Sequence, residues 1–236
     1  IYLFVTFVKK IYSKETGIME LIENLDQISS PYTNAVVTIG NFDGVHKGHQ
    51  ALLHQVIEKA DEIGGTSVAV TFEPHPLRAL GISSPPLITR HDQKCELIEQ
   101  SGIDALICIP FNKAFSAIPA REFVKDLLVR KIGMKAVIIG PDYSFGKNRG
   151  GNVDLLVEMG NHLGFETIIS SWINDTDTGL ERISSTKIRE IVMDGRVEQA
   201  VKYLGRHYQI RGKVIQGRER GGSQLGFPTA NIKLHD

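Results

Sequence analysis

The chain has 236 residues, 42% of them hydrophobic and 23% charged. That balance is ordinary for a folded protein and excludes a disordered or collagen-like chain. Twenty-seven basic residues offset 27 acidic ones, so no global field draws the chain to nucleic acid or to a membrane surface. Set against a typical domain of roughly 150 residues, the length corresponds to about one and a half domains.

Ile1 to Val8 reads IYLFVTFV and is followed by Lys9-Lys10. A membrane span needs about 20 apolar residues, and a signal peptide carries its basic residues before the apolar run, not after it. Residues 1–18 are expected to be a non-native or disordered extension, with the natural start at Met19. A short membrane-associating anchor is the alternative. Ala35–Ile39 (AVVTI) then reads as a buried parallel strand. After a loop, Leu52, Leu53, Val56, Ile57 and Ala60 recur at helical spacing, and Gly64-Gly65 ends that helix.

Thr66–Phe72 is the next expected strand, Asp92–Gln100 a helix and Ala105–Ile109 a strand. Ala120–Ile132 is an expected amphipathic helix, Ala136–Ile139 a strand, Val153–Leu163 a helix and Glu166–Ser170 a strand. Thr186–Met193 and Val197–Leu204 are two short helices. Alternation of strand and helix predicts an α/β fold with a doubly wound parallel sheet. From about residue 205 the pattern changes. Tyr208–Gln216 alternates in the β manner, Gly217–Gly226 is rich in Gly and Arg, and Phe227–Leu234 reads as another strand. Residues 206–236 carry six Lys/Arg against two Asp/Glu.

Two cysteines, Cys95 and Cys108, form neither a disulfide framework nor a zinc-knuckle pattern and point to a reducing, cytoplasmic compartment. The sequon Asn174-Asp175-Thr176 carries no weight without a secretory signal. Trp172, the only Trp, reads as packing or surface anchoring.

Two segments carry chemistry. The first is Gly40-Asn41-Phe42-Asp43-Gly44-Val45-His46-Lys47-Gly48-His49, between the first strand and the first helix. In an open α/β sheet that junction is where ligands bind. Glycines let the backbone turn and approach a ligand. His46 and His49, three residues apart, share one face of the first helical turn, where free N–H groups favour an anion. An inert, solvated histidine pair is the bland alternative. A zinc protease motif is excluded by spacing, and neither GxGxxG nor a Walker A is present. The second segment is Ser184-Ser185-Thr186-Lys187-Ile188-Arg189. Ser184 or Ser185 is a plausible N-cap, and the hydroxyls with Lys187 and Arg189 make a polyphosphate clamp.

Together the HxGH and SSTxIR segments resemble the nucleotidyltransferase superfamily. GNFDGVHKGHQ, TFEPHP (71–76), PFN (110–112), GPDYSFG (140–146) and ISSTKIR (183–189), in that order, resemble the bifunctional bacterial riboflavin kinase/FMN adenylyltransferases, from about Met19 to the C-terminus. The resemblance implies a Rossmann-like nucleotidyltransferase fold and the reaction of FMN with ATP to give FAD and pyrophosphate, with Mg²⁺. It implies small-molecule substrates and no nucleic-acid or membrane partner. Carried over by motif, His46, His49 and Arg189 are the catalytic set. Gly40, Phe42 and Asp43 line the ATP pocket, and Ser185, Thr186 and Arg189 grip the triphosphate. Phe72, Pro74, His75, Asn112, Asp142 and Arg182 match flavin-side positions. Phe72 serves equally as core, and Lys147 and Arg149 read more readily as solvated loop than as FMN-phosphate ligands. Asp142-Tyr143 stands where the family usually has Asp-Phe.

Gly226-Phe227-Pro228-Thr229-Ala230-Asn231 resembles the PTAN motif of riboflavin kinases, in which Thr229 and Asn231 would hold Mg²⁺ and ATP phosphates. An edge strand with a turn is the alternative. The preceding loop lacks the family's second Arg. About 30 residues supply only two or three strands, so the expectation is an adenylyltransferase over 19–205, an incomplete kinase barrel over 206–236, and no riboflavin kinase activity. Another nucleotidyltransferase of the same fold, acting for instance on pantetheine phosphate, and a non-catalytic flavin- or nucleotide-binding protein are the competing readings.

Overall fold

The structure is a computed structural model that describes residues 19–171, 183–215 and 231–234. The expectations for residues 1–18, for Trp172 and the sequon, for Arg182 and for Thr229 with the Gly/Arg-rich loop lie outside the described residues.

Six strands form one sheet: β1 (Glu20–Ile22), β2 (Ala35–Ile39), β3 (Ser67–Glu73), β4 (Ala105–Pro110), β5 (Met134–Ile139) and β6 (Glu166–Ile169). Their order is β1-β4-β3-β2-β5-β6, and every neighbouring pair is parallel. The helices are α1 (Lys47–Glu62), α2 (Pro76–Ala79), α3 (His91–Glu99), α4 (Lys113–Ser116), α5 (Ala120–Glu122), α6 (Val153–Leu163), α7 (Ser185–Met193) and α8 (Val197–Leu204). The expected α/β fold is the one observed.

The strand sequences explain the layering. All five residues of β2 are buried, as expected of a strand covered on both faces. Alternate residues point to opposite sides. Val37, Ile39, Val70 and Ile107 pack with Phe123, Leu128 and Leu156 on one face. Val36, Ala69, Leu106 and Ile138 pack with Leu53, Val56 and Ile98 of α1 and α3 on the other. A third cluster joins Ile88 and Ile183 to Ile188, Ile191, Tyr203 and Leu204, which docks α7 and α8.

Some expectations needed adjustment. Ala120–Ile132 is not one α-helix: it passes from α5 into a π-helical stretch over Phe123–Ile132, closed by Gly133 at φ 86°. The apolar spacing is satisfied by either winding, so Phe123, Val124, Leu128 and Ile132 are buried as a stripe regardless. The short β1 gave no periodic signal because it has only three residues. Beyond α8, Gly205 adopts a left-handed conformation. A separate antiparallel ribbon follows, β7 (Gly212–Ile215) and β8 (Asn231–Leu234), pairing Gly212 with Leu234 and Ile215 with Asn231. Among the described residues, no helix is long and apolar enough to cross a membrane.

Candidate active site

After β2, the chain moves to β3 on one side, whereas β5 adds on the other. The order reverses between β2 and β5, and ligands of open α/β sheets bind at such a switch point, beyond the strand C-termini. Residues 40–49 occupy it. Phe42 and Val45 hold positive φ, 48° and 36°, and Gly44 lies at φ 85°. Three left-handed residues within four make a tight, strained bend, as functional loops often do.

The bend ends at His46, which caps α1: its Nδ1 accepts from the His49 backbone N–H at 3.3 Å. A neutral imidazole whose Nδ1 accepts carries its proton on Nε2, leaving that N–H to donate elsewhere. The two rings stack with centroids 3.6 Å apart, and Phe42 meets His49 edge-on at 5.3 Å. Gly48 keeps this packing close, because a Cβ would sit 3.1 Å from His46 Nδ1 and press on the ring. Burial pushes the His46 pKa down to about 4, with nearby Asp43 opposing the shift. Burial, then the neighbouring His46, push His49 well below its ordinary value. Both rings are neutral at pH 7. Neutral imidazoles offer hydrogen-bonding N–H groups but no positive charge.

The positive element lies opposite. Ser184 caps α7, its Oγ accepting from the Lys187 N–H at 3.3 Å. Ser185 Oγ donates to the Asp43 carbonyl at 2.9 Å, so the N-termini of α1 and α7 converge on one crevice. Thr186 and Lys187 are exposed at its rim. Arg189 Nη2 bonds Asp43 Oδ2 at 2.7 Å, and its Nε donates to the Pro86 carbonyl at 2.9 Å.

Asp43 does not line the pocket as an open carboxylate. It is 4% exposed and accepts from the Ile88 and Thr89 backbone N–H groups and from the Thr89 hydroxyl. The carboxylate therefore ties three segments together, 43, 88–89 and 189. Gly40 follows β2 directly, and a Cβ there would press on the Phe42 ring at 3.2 Å.

Of the flavin-side candidates, Phe72, Pro74, His75 and Asn112 lie at the ends of β3 and β4, and Asp142 follows β5. Glu73 pairs with Pro110 in register, and the Phe111 N–H donates to the Glu73 carbonyl. Phe72, Phe111 and Phe115 contact one another with centroids 5.5–6.1 Å apart, which gives Phe72 both packing and a partly exposed aromatic surface. Pro74 follows a cis Glu73-Pro74 bond, and His75 caps α2. Asn112 caps α4 through the Phe115 N–H at 2.8 Å. Asp142 is exposed in the turn after β5, beside Tyr143, which stacks on Phe145. Lys147 and Arg149 are exposed, with Arg149 bonded to Ser144. Asn231 is exposed at the start of β8.

The sequence reading missed several residues. Arg206 donates to the Gly44 and Val45 carbonyls at 2.6 and 3.2 Å, and Gln50 bridges Val45 and Leu204. The Asn41 side chain lies 3.3 Å from His75 Nε2, linking the two motif loops. Lys94, 6% exposed, donates to Thr71 Oγ1 and the Phe72 carbonyl. Of these, Lys94 left a signal: it stands four residues before Ile98, on the same face of α3.

The profile of the FAD synthetase family matches residues 28–187, and that of the riboflavin kinase family matches 204–236. A bifunctional riboflavin kinase/FMN adenylyltransferase of Buchnera aphidicola is 40% identical over 92% of this chain and 69% of its own. The Escherichia coli K12 protein described in the same words is 37% identical over 92% and 68%. A solved structure described as a macrolide-efflux protein of Streptococcus pneumoniae aligns with a TM-score of 0.79 at 32% identity, covering 93% of this chain and 70% of that one. By fold, by sequence and by the motifs gathered at its switch point, the chain belongs to the bifunctional riboflavin kinase/FMN adenylyltransferase family.

Proposed function

We propose that residues 19–205 join FMN to the AMP part of ATP, giving FAD and pyrophosphate. The observation that carries this is the stacked, neutral His46–His49 pair at the N-terminus of α1, facing the N-terminus of α7 with Arg189. Two helix N-termini and two N–H-donating imidazoles form an anion cradle without a general base. Phosphoryl transfer needs little more than positioning and charge stabilisation. The FMN phosphate oxygen attacks the α-phosphorus of ATP, and the bond to the bridging oxygen of pyrophosphate breaks. His46 Nε2–H and His49 donate to the phosphate oxygens as charge develops. Ser185, Thr186 and Arg189 hold the departing pyrophosphate from α7. Gly40 leaves room for the nucleotide, with the buried Phe42 ring packed behind it. Phe72, Pro74, His75, Asn112, Asp142 and Arg182 serve the flavin end.

Mg²⁺ takes oxygen ligands and commonly keeps several waters, bound mainly through phosphates. The cradle offers mainly imidazole and backbone N–H groups, donors suited to phosphate oxygens, and the Asp43 carboxylate is fully engaged. Mg²⁺ would therefore arrive with ATP, neutralising phosphate charge, and no residue of 19–205 is assigned as its ligand. We assign residues 206–236, with Thr229 and Asn231, to the riboflavin kinase unit of the family. A cytoplasmic setting fits the free thiols Cys95 and Cys108.

Incubation of the chain with FMN, ATP and Mg²⁺, followed by chromatography, should show FAD and pyrophosphate. Pantetheine phosphate should give neither. His49→Ala should reduce FAD formation at least a hundredfold while FMN still binds. Turnover with pantetheine phosphate but not FMN, or full activity in His49→Ala, would overturn the proposal.

A further inference from the structure

Three potential metal ligands converge away from the phosphate cradle. His91 and Cys95 lie four residues apart on α3, and Cys108 lies on β4. One donor atom from each falls within 4.8 Å of the others. His91 Nε2 is 3.7 Å from Cys95 Sγ. Donor atoms of a tetrahedral zinc site with imidazole and thiolate ligands are about 3.5–3.8 Å apart, so little movement is needed to close on an ion.

The surroundings match a metal centre more closely than a chance thiol pair. His91 Nδ1 lies 3.4 Å from Glu73 Oε2. Metal-binding histidines typically donate the remaining ring N–H to a carboxylate, which fixes the tautomer and presents the other nitrogen. Charge also balances. Two thiolates neutralise a divalent ion, and Glu73 is compensated by buried Lys94 at 3.8 Å. Cys108 is buried whereas His91 and Cys95 are part-exposed, so an ion could enter from their side.

We propose that His91, Cys95 and Cys108 bind a thiophilic divalent ion of the zinc class, with Glu73 as the positioning residue for His91. The ion would clip α3 to β4 beside the end of β3, where Phe72 and Glu73 lead into the 74–76 loop. The site lies outside the HxGH chemistry and would be filled or emptied independently of Mg²⁺-ATP.

The test is a Co²⁺ titration of the full chain under anaerobic, phosphine-reduced conditions. One equivalent should produce a thiolate-to-cobalt charge-transfer absorption that Zn²⁺ displaces. Cys95→Ser, a small change at a half-exposed position, should abolish the band, as should Cys108→Ala. Circular dichroism checks the fold of each variant. Glu73→Gln should retain the band with affinity weakened about 10–100-fold. Absence of the band in the unaltered chain, or an unchanged band in Cys95→Ser, overturns the site. Unchanged affinity in Glu73→Gln overturns the role given to Glu73.

Discussion

Replacing Asp43 with Ala tests whether the carboxylate holds the active-site loops together. Its side chain is 5% exposed and that of its partner Arg189 is 14% exposed. Truncation leaves the Ile88 and Thr89 N–H groups unpaired and leaves Arg189 with only the Pro86 carbonyl among these partners. Removing one member of a buried ion pair costs about 3–5 kcal/mol. Each orphaned N–H contributes about 1–3 kcal/mol to that, overlapping rather than adding. We expect about 4 kcal/mol, a large fraction of a typical domain stability of roughly 5–15 kcal/mol. Arg189→Met should cost less, about 2 kcal/mol, because Asp43 keeps its two N–H donors and a hydroxyl. Urea unfolding read by circular dichroism measures both, and the double variant should fall short of their sum by more than about 0.5 kcal/mol. An Asp43→Ala cost below about 1 kcal/mol, or strict additivity, would refute the strut.

Burial lowers His46 to about 4 from its usual 6.5. The unfolded chain then takes up a proton below pH 6.5 that the folded chain refuses until about pH 4. Stability should therefore fall by about 3 kcal/mol as pH drops through that window, and urea midpoints of His46→Gln should show a flatter pH slope. Gly48→Ala places a Cβ 3.1 Å from the His46 ring; displacing the ring should lower kcat about tenfold or more, with the melting temperature little changed. Gly133→Ala meets the Tyr32 carbonyl at 2.6 Å with φ 86°. It should cost more than about 2 kcal/mol in urea unfolding, without changing KM for ATP.

The sequence by itself determined the layered α/β architecture. Continuous apolar strands such as AVVTI bury both faces only inside a doubly covered sheet, and the matching helices repeat with the period needed to cover it. It also placed the residues of the proposed cradle together, because Gly40, Gly44, His46, Gly48 and His49 are local: one strand end and one helix start position them all. Contacts between distant segments were decided only by tertiary structure. Asp43 meets Arg189 across 146 positions and Arg206 reaches Gly44 across 162, and no spacing rule encodes such approaches. The same holds for His91, Cys95 and Cys108, two on a helix and one on a strand, which read as unrelated until α3 packs against β4. Local periodicity reports which face of an element is buried; which polar groups then share that buried space depends on how the elements pack.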